Sequence, residues 1–267
     1  MTWSSIVPRR TFLSVLLGFA LLGGCEAPKK DDVLVVGMDL SYPPFETIDE
    51  KGQPTGVSVE IAQGLAQSLQ KTLKIENIPF TGLIPTLQRG GVDCVISSLT
   101  ANEERRKTIE FSEPYLKIGL ALLVRKDSPI KDVESLDQPG KMLVVRQGTT
   151  GEAWARKNLK QAQILAVEKE NSAVMEIVQG KADAFIYDQM SIWKNWQNNQ
   201  ETTRAILAQI HEEYWAVGLR KGDEALKKEV DAFISKFRQD GGFEKLGDKY
   251  LKDQKEAFKA QGLPFYF

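Results

Sequence analysis

The chain has 267 residues, with 35 lysine and arginine against 36 aspartate and glutamate side chains, and 42% of its residues are hydrophobic. These proportions are those of an ordinary globular protein that can bury a core. The formal net charge of −1, without a long basic run, indicates no nucleic-acid partner. One histidine and two cysteines are too few for a zinc or transition-metal site, so we expect no metal or other cofactor. Neither a phosphate-binding loop nor a nucleophile elbow is present, which excludes those two enzyme classes.

The N-terminal residues are typical of an export signal. Arg9 and Arg10 form a positive n-region, and the apolar stretch Thr11–Leu22 is too short for a membrane span of about 20 residues. We therefore predict a signal peptide over residues 1–24 and an exported protein.

The predicted signal peptide ends at Leu22-Gly23-Gly24-Cys25, which resembles a bacterial lipobox. In that motif the cysteine thiol receives a diacylglycerol group, so we predict a lipid anchor at Cys25 and a polar tether over residues 25–32. The protein would then be periplasmic or on the cell surface, attached to the membrane. The alternative is an ordinary signal peptide followed by an incidental thiol. A lipidated Cys25 leaves Cys94 without a disulfide partner, and we expect Cys94 in the core.

Strand-like and helix-like segments alternate after the tether. The first series predicts the strand Val33–Gly37, the helix Val57–Leu73, the strand Lys74–Ile78, the helix Leu83–Gln88 and the strand Cys94–Leu99. Such alternation is typical of an α/β fold with a parallel sheet.

A second series of the same kind follows. It predicts the strands Gly119–Val124 and Met142–Val145, the helix Thr150–Lys160, the strand Ala162–Val167, the helix Ala173–Gln179 and the strand Ala184–Tyr187. Because the pattern starts again, we predict two α/β lobes.

The predicted first lobe comprises residues 33–115 and 216–267, and the second lobe comprises residues 116–215. The hinge segments at the ends of the second lobe are expected near Ser112–Ile118 and Glu212–Trp215, so the chain would cross between the lobes twice. Two amphipathic helices, separated by the turn signal Asp240-Gly241-Gly242, are predicted to return to the first lobe: Asp223–Gln239 and Phe243–Ala260.

Five short motifs occur in a specific order and spacing: Tyr42-Pro43-Pro44-Phe45, Gly56-Val57-Ser58-Val59-Glu60, Phe80-Thr81-Gly82-Leu83-Ile84-Pro85, Thr100 to Ser112 with Arg105, and Phe111-Ser112-Glu113-Pro114-Tyr115. Together they resemble the extracytoplasmic solute-binding proteins of polar amino-acid ABC importers, over nearly all of residues 33–250. Ser97-Ser98-Leu99-Thr100 resembles the lysine/arginine/ornithine and histidine binders in particular. Ser58 departs from the aspartate usual in the family, and since serine also caps helices we expect no change in function.

This resemblance implies a type II periplasmic-binding-protein fold, in which two α/β lobes are joined by a two-stranded hinge. An α-amino acid ligand needs a carboxylate site, an ammonium site and a side-chain pocket. Arg105 offers a planar fork of donors that grips a carboxylate bidentately. The resemblance adds Ser97, Ser98 and Thr100 beside it. Taken without the family, Arg105 is better explained as a solvated charge of a highly charged helix.

The second lobe is expected to complete both charged sites. The loop Arg146-Gln147-Gly148-Thr149-Thr150-Gly151 opens a helix, so its backbone N–H groups and the Thr149 and Thr150 hydroxyls are candidates for the carboxylate. A plain turn with a threonine cap is the alternative. The resemblance assigns Asp188, which follows a buried strand, to the ammonium group; a turn residue or helix cap is the alternative.

Asp39, Tyr42 and Phe80 are expected to form the side-chain pocket. The rings would sandwich an aliphatic stem or a guanidinium group, and the carboxylate would meet a cationic or amide end. This favours arginine, lysine or histidine, and then glutamine. Arg146 complicates that order, because a cation near the pocket disfavours basic side chains. Core aromatics and a turn-capping aspartate are the alternative.

The resemblance therefore implies a monomer without catalysis that closes on a polar L-amino acid and delivers it to an ABC permease, with the ATPase on a separate chain. Two alternatives stay open. Cyclohexadienyl dehydratases resemble this family in fold and need a protonated carboxyl group in the cleft. An amino-acid sensor would present the closed form to a receptor instead.

Overall fold

A computed structural model of the protein describes residues 32–263 together with Met1 and Phe265. The predicted signal peptide, Cys25 and the tether up to residue 31 lie outside the described residues. Among the described residues, no helix has the length and apolar character needed to cross a membrane.

The first lobe contains a five-stranded sheet. Its strands are β1 (Val33–Met38), β4 (Thr72–Asn77), β5 (Cys94–Val95), β6 (Glu110–Phe111) and β13 (Gly218–Leu219), and a separate hairpin joins β2 (Thr47–Ile48) to β3 (Pro54–Thr55). The sheet order is β4-β1-β5-β13-β6. β1 runs parallel to β4 and β5, whereas β13 runs antiparallel to β5 and β6.

The second lobe contains a six-stranded sheet. Its strands are β7 (Leu116–Arg125), β8 (Met142–Arg146), β9 (Gln163–Val167), β10 (Ala184–Asp188), β11 (Thr203–Ile206) and β12 (Glu212–Trp215). The order is β11-β7-β10-β8-β9, and β12 pairs with the beginning of β7. β8 is parallel to β9 and β10, whereas β7 is antiparallel to β10 and β11.

Ten helices of the described residues pack on these sheets. They are α1 (Val57–Ser68), α2 (Phe80–Gln88), α3 (Glu103–Arg106), α4 (Val133–Leu136), α5 (Thr150–Asn158), α6 (Glu170–Val178), α7 (Gln189–Asn198), α8 (Glu224–Gln239), α9 (Gly242–Tyr250) and α10 (Lys252–Ala260). β10 is buried along its whole length. Strands covered on both faces in this way carry near-continuous apolar runs. Cys94 is also buried, as expected.

The chain passes between the two sheets twice, and the two passages pair with each other. Leu116 lies opposite Trp215, and Gly119 lies opposite Glu212, in an antiparallel ladder. The expected α/β architecture with two lobes is confirmed. The segments named as hinges in the sequence are therefore strands that pair with each other.

Several sequence-based expectations are wrong in detail. The sheets are mixed and not parallel, because each lobe receives strands that return from the other lobe. α1 ends at Ser68 and not Leu73, and Gln70 takes a left-handed conformation with φ 56°. The predicted helix Phe243–Ala260 is broken at Leu251. The predicted strand Cys94–Leu99 ends at Val95, before Ser98 turns the chain with φ 48°.

Candidate ligand-binding site

A cavity lies between the two lobes and is lined by side chains of both. All eleven residues predicted from the sequence line it: Asp39, Tyr42, Phe80, Ser97, Ser98, Thr100 and Arg105 from the first lobe, and Arg146, Thr149, Thr150 and Asp188 from the second. The structure brings these eleven side chains to one cavity. Their contact with a ligand stays a prediction.

The Arg105 guanidinium spans the cleft. Its Nη1 donates to the Thr100 carbonyl oxygen at 2.8 Å, and its Nη2 donates to the Gly148 carbonyl oxygen of the other lobe at 3.0 Å. The residue is fixed at its backbone, where its N–H donates to the Asn102 side chain that caps α3. Burial lowers the pKa of Arg105 to about 10, so the group is still a cation at neutral pH. Arg105 is therefore held in the cleft, where it is half-buried.

Asp188 caps a helix and also lines the cavity, so the helix-cap alternative holds and its contact with a ligand ammonium group stays a prediction. It caps α7, because its Oδ1 accepts from the Ser191 N–H at 3.0 Å, and it also lines the cavity. Its Oδ2 accepts from the Tyr42 hydroxyl of the other lobe at 2.6 Å. Burial raises the pKa of Asp188 to about 7, against the opposing effect of these two hydrogen bonds.

Asp39 and Arg146 form a buried ion pair across the cleft. Arg146 Nη2 donates to Asp39 Oδ2, while Arg146 Nη1 donates to the Tyr187 hydroxyl at 3.0 Å. Asp39 Oδ2 also accepts from the Phe80 N–H at 3.1 Å. Burial opposes the charge of Arg146, but Tyr187 and Asp39 raise its pKa above the usual value. The negative charge expected to select a basic ligand is thus already paired within the protein.

Aromatic rings surround this ion pair. The Phe80 ring centroid lies 5.4 Å from the Arg146 guanidinium carbon and 5.6 Å from that of Arg105. Tyr42 stacks on Phe45 at 5.3 Å and meets Trp215 edge-on at 6.1 Å. The Arg146 guanidinium therefore lies over the ring that was expected to receive a basic side chain of the ligand.

The two threonines of the α5 loop have different partners. Thr149 caps α5, with its Oγ1 accepting from the Glu152 N–H at 3.4 Å and donating to the Arg146 carbonyl oxygen at 2.7 Å. The Thr150 hydroxyl instead donates to Glu213 Oε2 at 2.9 Å. The threonine-cap interpretation therefore holds for Thr149, and Thr150 contacts a carboxylate of the protein.

Glu46 lines the cavity beside three serines, and it was not predicted from the sequence. It accepts hydrogen bonds from Ser58 at 2.6 Å, Ser98 at 3.0 Å and Ser97 at 3.2 Å. Burial raises the pKa of Glu46 to about 8, although the serine hydroxyls oppose the shift. The expectation that Ser58 caps α1 is wrong, because Gly56 occupies the cap position. Ser58 instead donates a hydrogen bond to Glu46. The aspartate that is usual at this position in the family would place a second negative charge beside Glu46.

Glu213 and Trp215 also line the cavity without having been predicted there. They lie on β12, where buried and exposed residues alternate. The alternation of residues along Glu212–Trp215 indicates a strand in the sequence. It does not show that the buried face of this strand meets the cleft.

A closed cleft between two α/β lobes, with buried groups of both charges, defines a two-lobed ligand-binding protein of the type II periplasmic-binding-protein fold. Residues 34–253 match the bacterial extracellular solute-binding proteins, family 3, and the chain belongs to that family.

Known proteins of the family are similar over most of the chain. The L-cystine-binding protein TcyJ of Escherichia coli K12 is 30% identical over 235 residues, covering 87% of this chain and 88% of that protein. The glutamine-binding protein GlnH of the Bacillus subtilis ABC transporter is 28% identical over 237 residues, covering 85% and 84%. The crystal structure of an ancestral amino acid-binding protein, a precursor of cyclohexadienyl dehydratase, superposes with a TM-score of 0.77 at 33% identity, covering 83% of this chain and 96% of that chain.

Proposed function

We propose that this protein binds a polar L-amino acid between its lobes and delivers it to the permease of an ABC importer. The observation that carries this proposal is the pair of Arg105 and Asp188, which come from different lobes and line one cavity. Arg105 binds the ligand carboxylate, with Ser98, Thr100 and the α5 loop beside it. Asp188 binds the ammonium group. Each group needs a charged partner because the cleft is shielded from water.

The ligand side chain is uncharged in this proposal. A cationic side chain would meet the Arg146 guanidinium, which already lies over Phe80 and pairs with Asp39. Separating that buried pair would leave a charge without a partner, which is costly. This reverses the order expected from the sequence and puts glutamine ahead of arginine, lysine and histidine. Relatives are named for glutamine and cystine but also for arginine, histidine and lysine/arginine/ornithine, so the proposal of an uncharged side chain rests on the Asp39–Arg146 pair and not on the relatives.

The proposed location of the protein and its proposed partner chains come from the sequence. Residues 1–24 direct export, and a lipid on Cys25 keeps the binding protein at the membrane while residues 25–32 leave it mobile. The protein acts as a monomer, and the permease and its ATPase are separate chains. Closure of the lobes on the ligand creates the form that docks on the permease.

The dehydratase alternative has one supporting observation. A catalytic acid must carry a proton at neutral pH, and Glu46, with a pKa of about 8, is a neutral carboxyl group that lines the cavity. We propose binding without catalysis, because three serine hydroxyls surround the carboxyl group of Glu46. Incubation with prephenate and an absorbance assay for phenylpyruvate tests this, and product formation would contradict the proposal.

A thermal-shift panel tests the proposed function. The purified protein, freed of co-purified ligand by refolding, is heated with each common L-amino acid, L-cystine, ornithine, citrulline and prephenate. A ligand that binds only the native state raises the melting temperature. We expect the largest shift from a neutral polar amino acid such as L-glutamine. If no amino acid raises the melting temperature, the proposal is contradicted. A separate experiment, amino-acid uptake after deletion of the gene, distinguishes a transport protein, whose loss abolishes uptake, from a sensor.

A further inference from the structure

Glu213 lies in the donor set that is proposed for the ligand carboxylate. It is 4% exposed and lines the cleft cavity from β12. Its Oε2 accepts hydrogen bonds from the hydroxyls of Thr100 at 3.0 Å and Thr150 at 2.9 Å. These hydroxyls come from different lobes, and both were predicted from the sequence to face the ligand carboxylate. A carboxyl group of the protein is thus already present where a second carboxylate is expected.

Two ionised carboxylates in one buried donor set repel each other. Arg105 supplies one positive charge, and its two Nη atoms also donate to carbonyl oxygens. The second oxygen of Glu213, Oε1, is buried and has no hydrogen-bond partner among the described residues. Burial raises the pKa of Glu213, although Thr150, Thr100 and Arg105 oppose the shift. A proton on Oε1 would remove the repulsion between the carboxylates of Glu213 and the ligand. It would also allow this oxygen to donate a hydrogen bond.

We propose that Glu213 contacts the ligand carboxylate as a neutral carboxyl group whose Oε1–H donates a hydrogen bond to it, so that amino-acid binding takes up a proton from solvent. This inference rests on the amino-acid binding proposed above. The proton adds to Glu213 Oε1, no other bond changes, and the ligand stays a zwitterion. Glu213 then becomes a binding residue for the ligand carboxylate and favours ligands that offer an anionic acceptor at this position.

Charged groups face Glu213 from several elements. Arg105 of α3 favours its ionised form, whereas Asp188 at the end of β10 disfavours ionisation of a neighbouring carboxyl group. His211 also favours the ionised form of Glu213. Asp39, Glu46 and Arg146 line the same cavity, and Arg146 pairs with Asp39. Four further charged groups line the adjoining surface groove and are exposed, so that solvent screens them: Glu103, Glu104, Lys157 and Glu212. The ligand ammonium group is proposed to lie on Asp188, so the ligand carboxylate is the new buried charge in the donor set of Glu213, and it raises the proton affinity of Glu213.

Calorimetry with Glu213→Gln tests the proposal. Glutamine keeps the shape, accepts from both threonines and presents an N–H donor in place of the proposed O–H. L-glutamine, or the amino acid with the largest thermal shift, is titrated into the protein in buffers of different ionisation enthalpy at about pH 8, where Asp188, with its pKa of about 7, is largely ionised. The wild type is expected to take up more protons per bound ligand than Glu213→Gln. The affinity of the variant is expected to stay within about tenfold and, above about pH 7, to depend less on pH.

The neighbouring Glu212→Gln is the matched control, because this exposed carboxylate pairs with Lys117 and does not line the cleft cavity. It is expected to take up as many protons as the wild type. Equal proton numbers for the wild type and Glu213→Gln would overturn the inference, and so would loss of binding in a folded Glu213→Gln. If Glu213→Gln does not fold, infrared spectroscopy of the wild type replaces the comparison. The band of a protonated carboxyl group is then expected to grow when the wild type binds ligand at the same pH. A band that stays unchanged would contradict the inference while leaving amino-acid binding intact. A wild type that binds no amino acid would contradict the proposed function instead.

Discussion

Single side chains decide which chemical groups the cleft can accept. Arg105 presents its guanidinium from one lobe and Asp188 its carboxylate from the other; Asp188 is buried and Arg105 is half-buried. Asp39 differs from them, since Arg146 already neutralises it. The first two groups are available to the charged ends of an amino acid, while the ion pair shapes the pocket for its side chain.

Arg105→Ala is expected to abolish binding of every amino acid. Removing one partner of a buried, hydrogen-bonded charge pair costs about 2–5 kcal/mol, which raises Kd by about 30-fold or more. Calorimetric titration measures the loss. The adjacent Arg106→Ala is the control, because Arg106 is exposed and contacts Phe111 outside the cleft, and it should bind like the wild type. Retained binding by Arg105→Ala would remove Arg105 from the carboxylate site.

Arg146→Gln is expected to change the ligand preference towards arginine and lysine. The variant leaves Asp39 without its internal cation, so a cationic ligand side chain becomes the favourable partner of that buried carboxylate. Thermal shifts with L-arginine and L-glutamine measure the change. A double variant, Asp39→Asn with Arg146→Gln, lacks the carboxylate and should show no gain for arginine. If Arg146→Gln still binds L-glutamine and gains nothing for arginine, the pairing does not set the preference.

In the Glu213→Gln variant, where the proton uptake proposed for Glu213 is absent, affinity is expected to fall as the solution becomes more acidic than about pH 7. Asp188 must be ionised to hold an ammonium group, and burial raises its pKa to about 7 in the protein. Binding therefore competes with a proton below that pH, by at most about tenfold per pH unit. Titrations across this range check the sign. Asp188→Asn should bind weakly at every pH, and an acid-side slope that persists in this variant would assign the titration to another group.

At the scale of secondary-structure elements, the beginning of α1 fixes the first-lobe side of the site. Gly56 caps α1 with φ 120° and ψ −179°, a conformation that residues with a Cβ rarely adopt. A Cβ at this position would lie 2.4 Å from the Phe45 carbonyl oxygen. This close approach holds the segment that carries Tyr42 and Glu46 against the helix.

Gly56→Ala is expected to destabilise the fold by about 1–3 kcal/mol or more, from both the backbone strain and the clash. Chemical denaturation measures the free energy of unfolding. Gly52→Ala is the matched control, because Gly52 also has a positive φ of 77° but no atom lies within 4 Å of its Cβ position. Equal losses for the two variants would show that strain alone acts at Gly56.

The elements also show what local sequence can and cannot predict. The strands Met142–Arg146 and Ala184–Asp188 follow from apolar runs of the right length. The strands β6 and β13 have two residues each and gain their pairing from partners far along the chain, so local pattern does not reveal them. For the same reason Glu213 escaped detection, because its partner Thr100 is 113 positions away.

At the scale of the whole molecule, polar contacts bridge the lobes across the cleft. Among them are Asp39 with Arg146, Tyr42 with Asp188, Arg105 with Gly148, Thr100 with Glu213, and Lys194 with the Pro43 carbonyl oxygen. The residues that join the lobes are therefore largely those proposed to bind the ligand. Ligand binding and lobe closure form one equilibrium in this account.

Membrane attachment is expected to depend on Cys25. The variant Cys25→Ser removes the thiol that receives the diacylglycerol group, so the protein should move from the membrane fraction to the soluble exported fraction. Cys94→Ala is the control, since this buried cysteine lies in the first-lobe sheet and should leave the attachment unchanged. Immunoblots of the fractions measure the result. Membrane attachment that survives Cys25→Ser would contradict the lipoprotein proposal.

The most direct test of amino-acid binding is a crystal structure of the protein with L-glutamine, or with the amino acid that gives the largest thermal shift. The account predicts a single amino acid between the lobes, with its carboxylate on Arg105, its ammonium group on Asp188 and its side chain between Tyr42 and Phe80. A ligand bound elsewhere, or one bound in the cleft with its carboxylate turned away from Arg105, would contradict it.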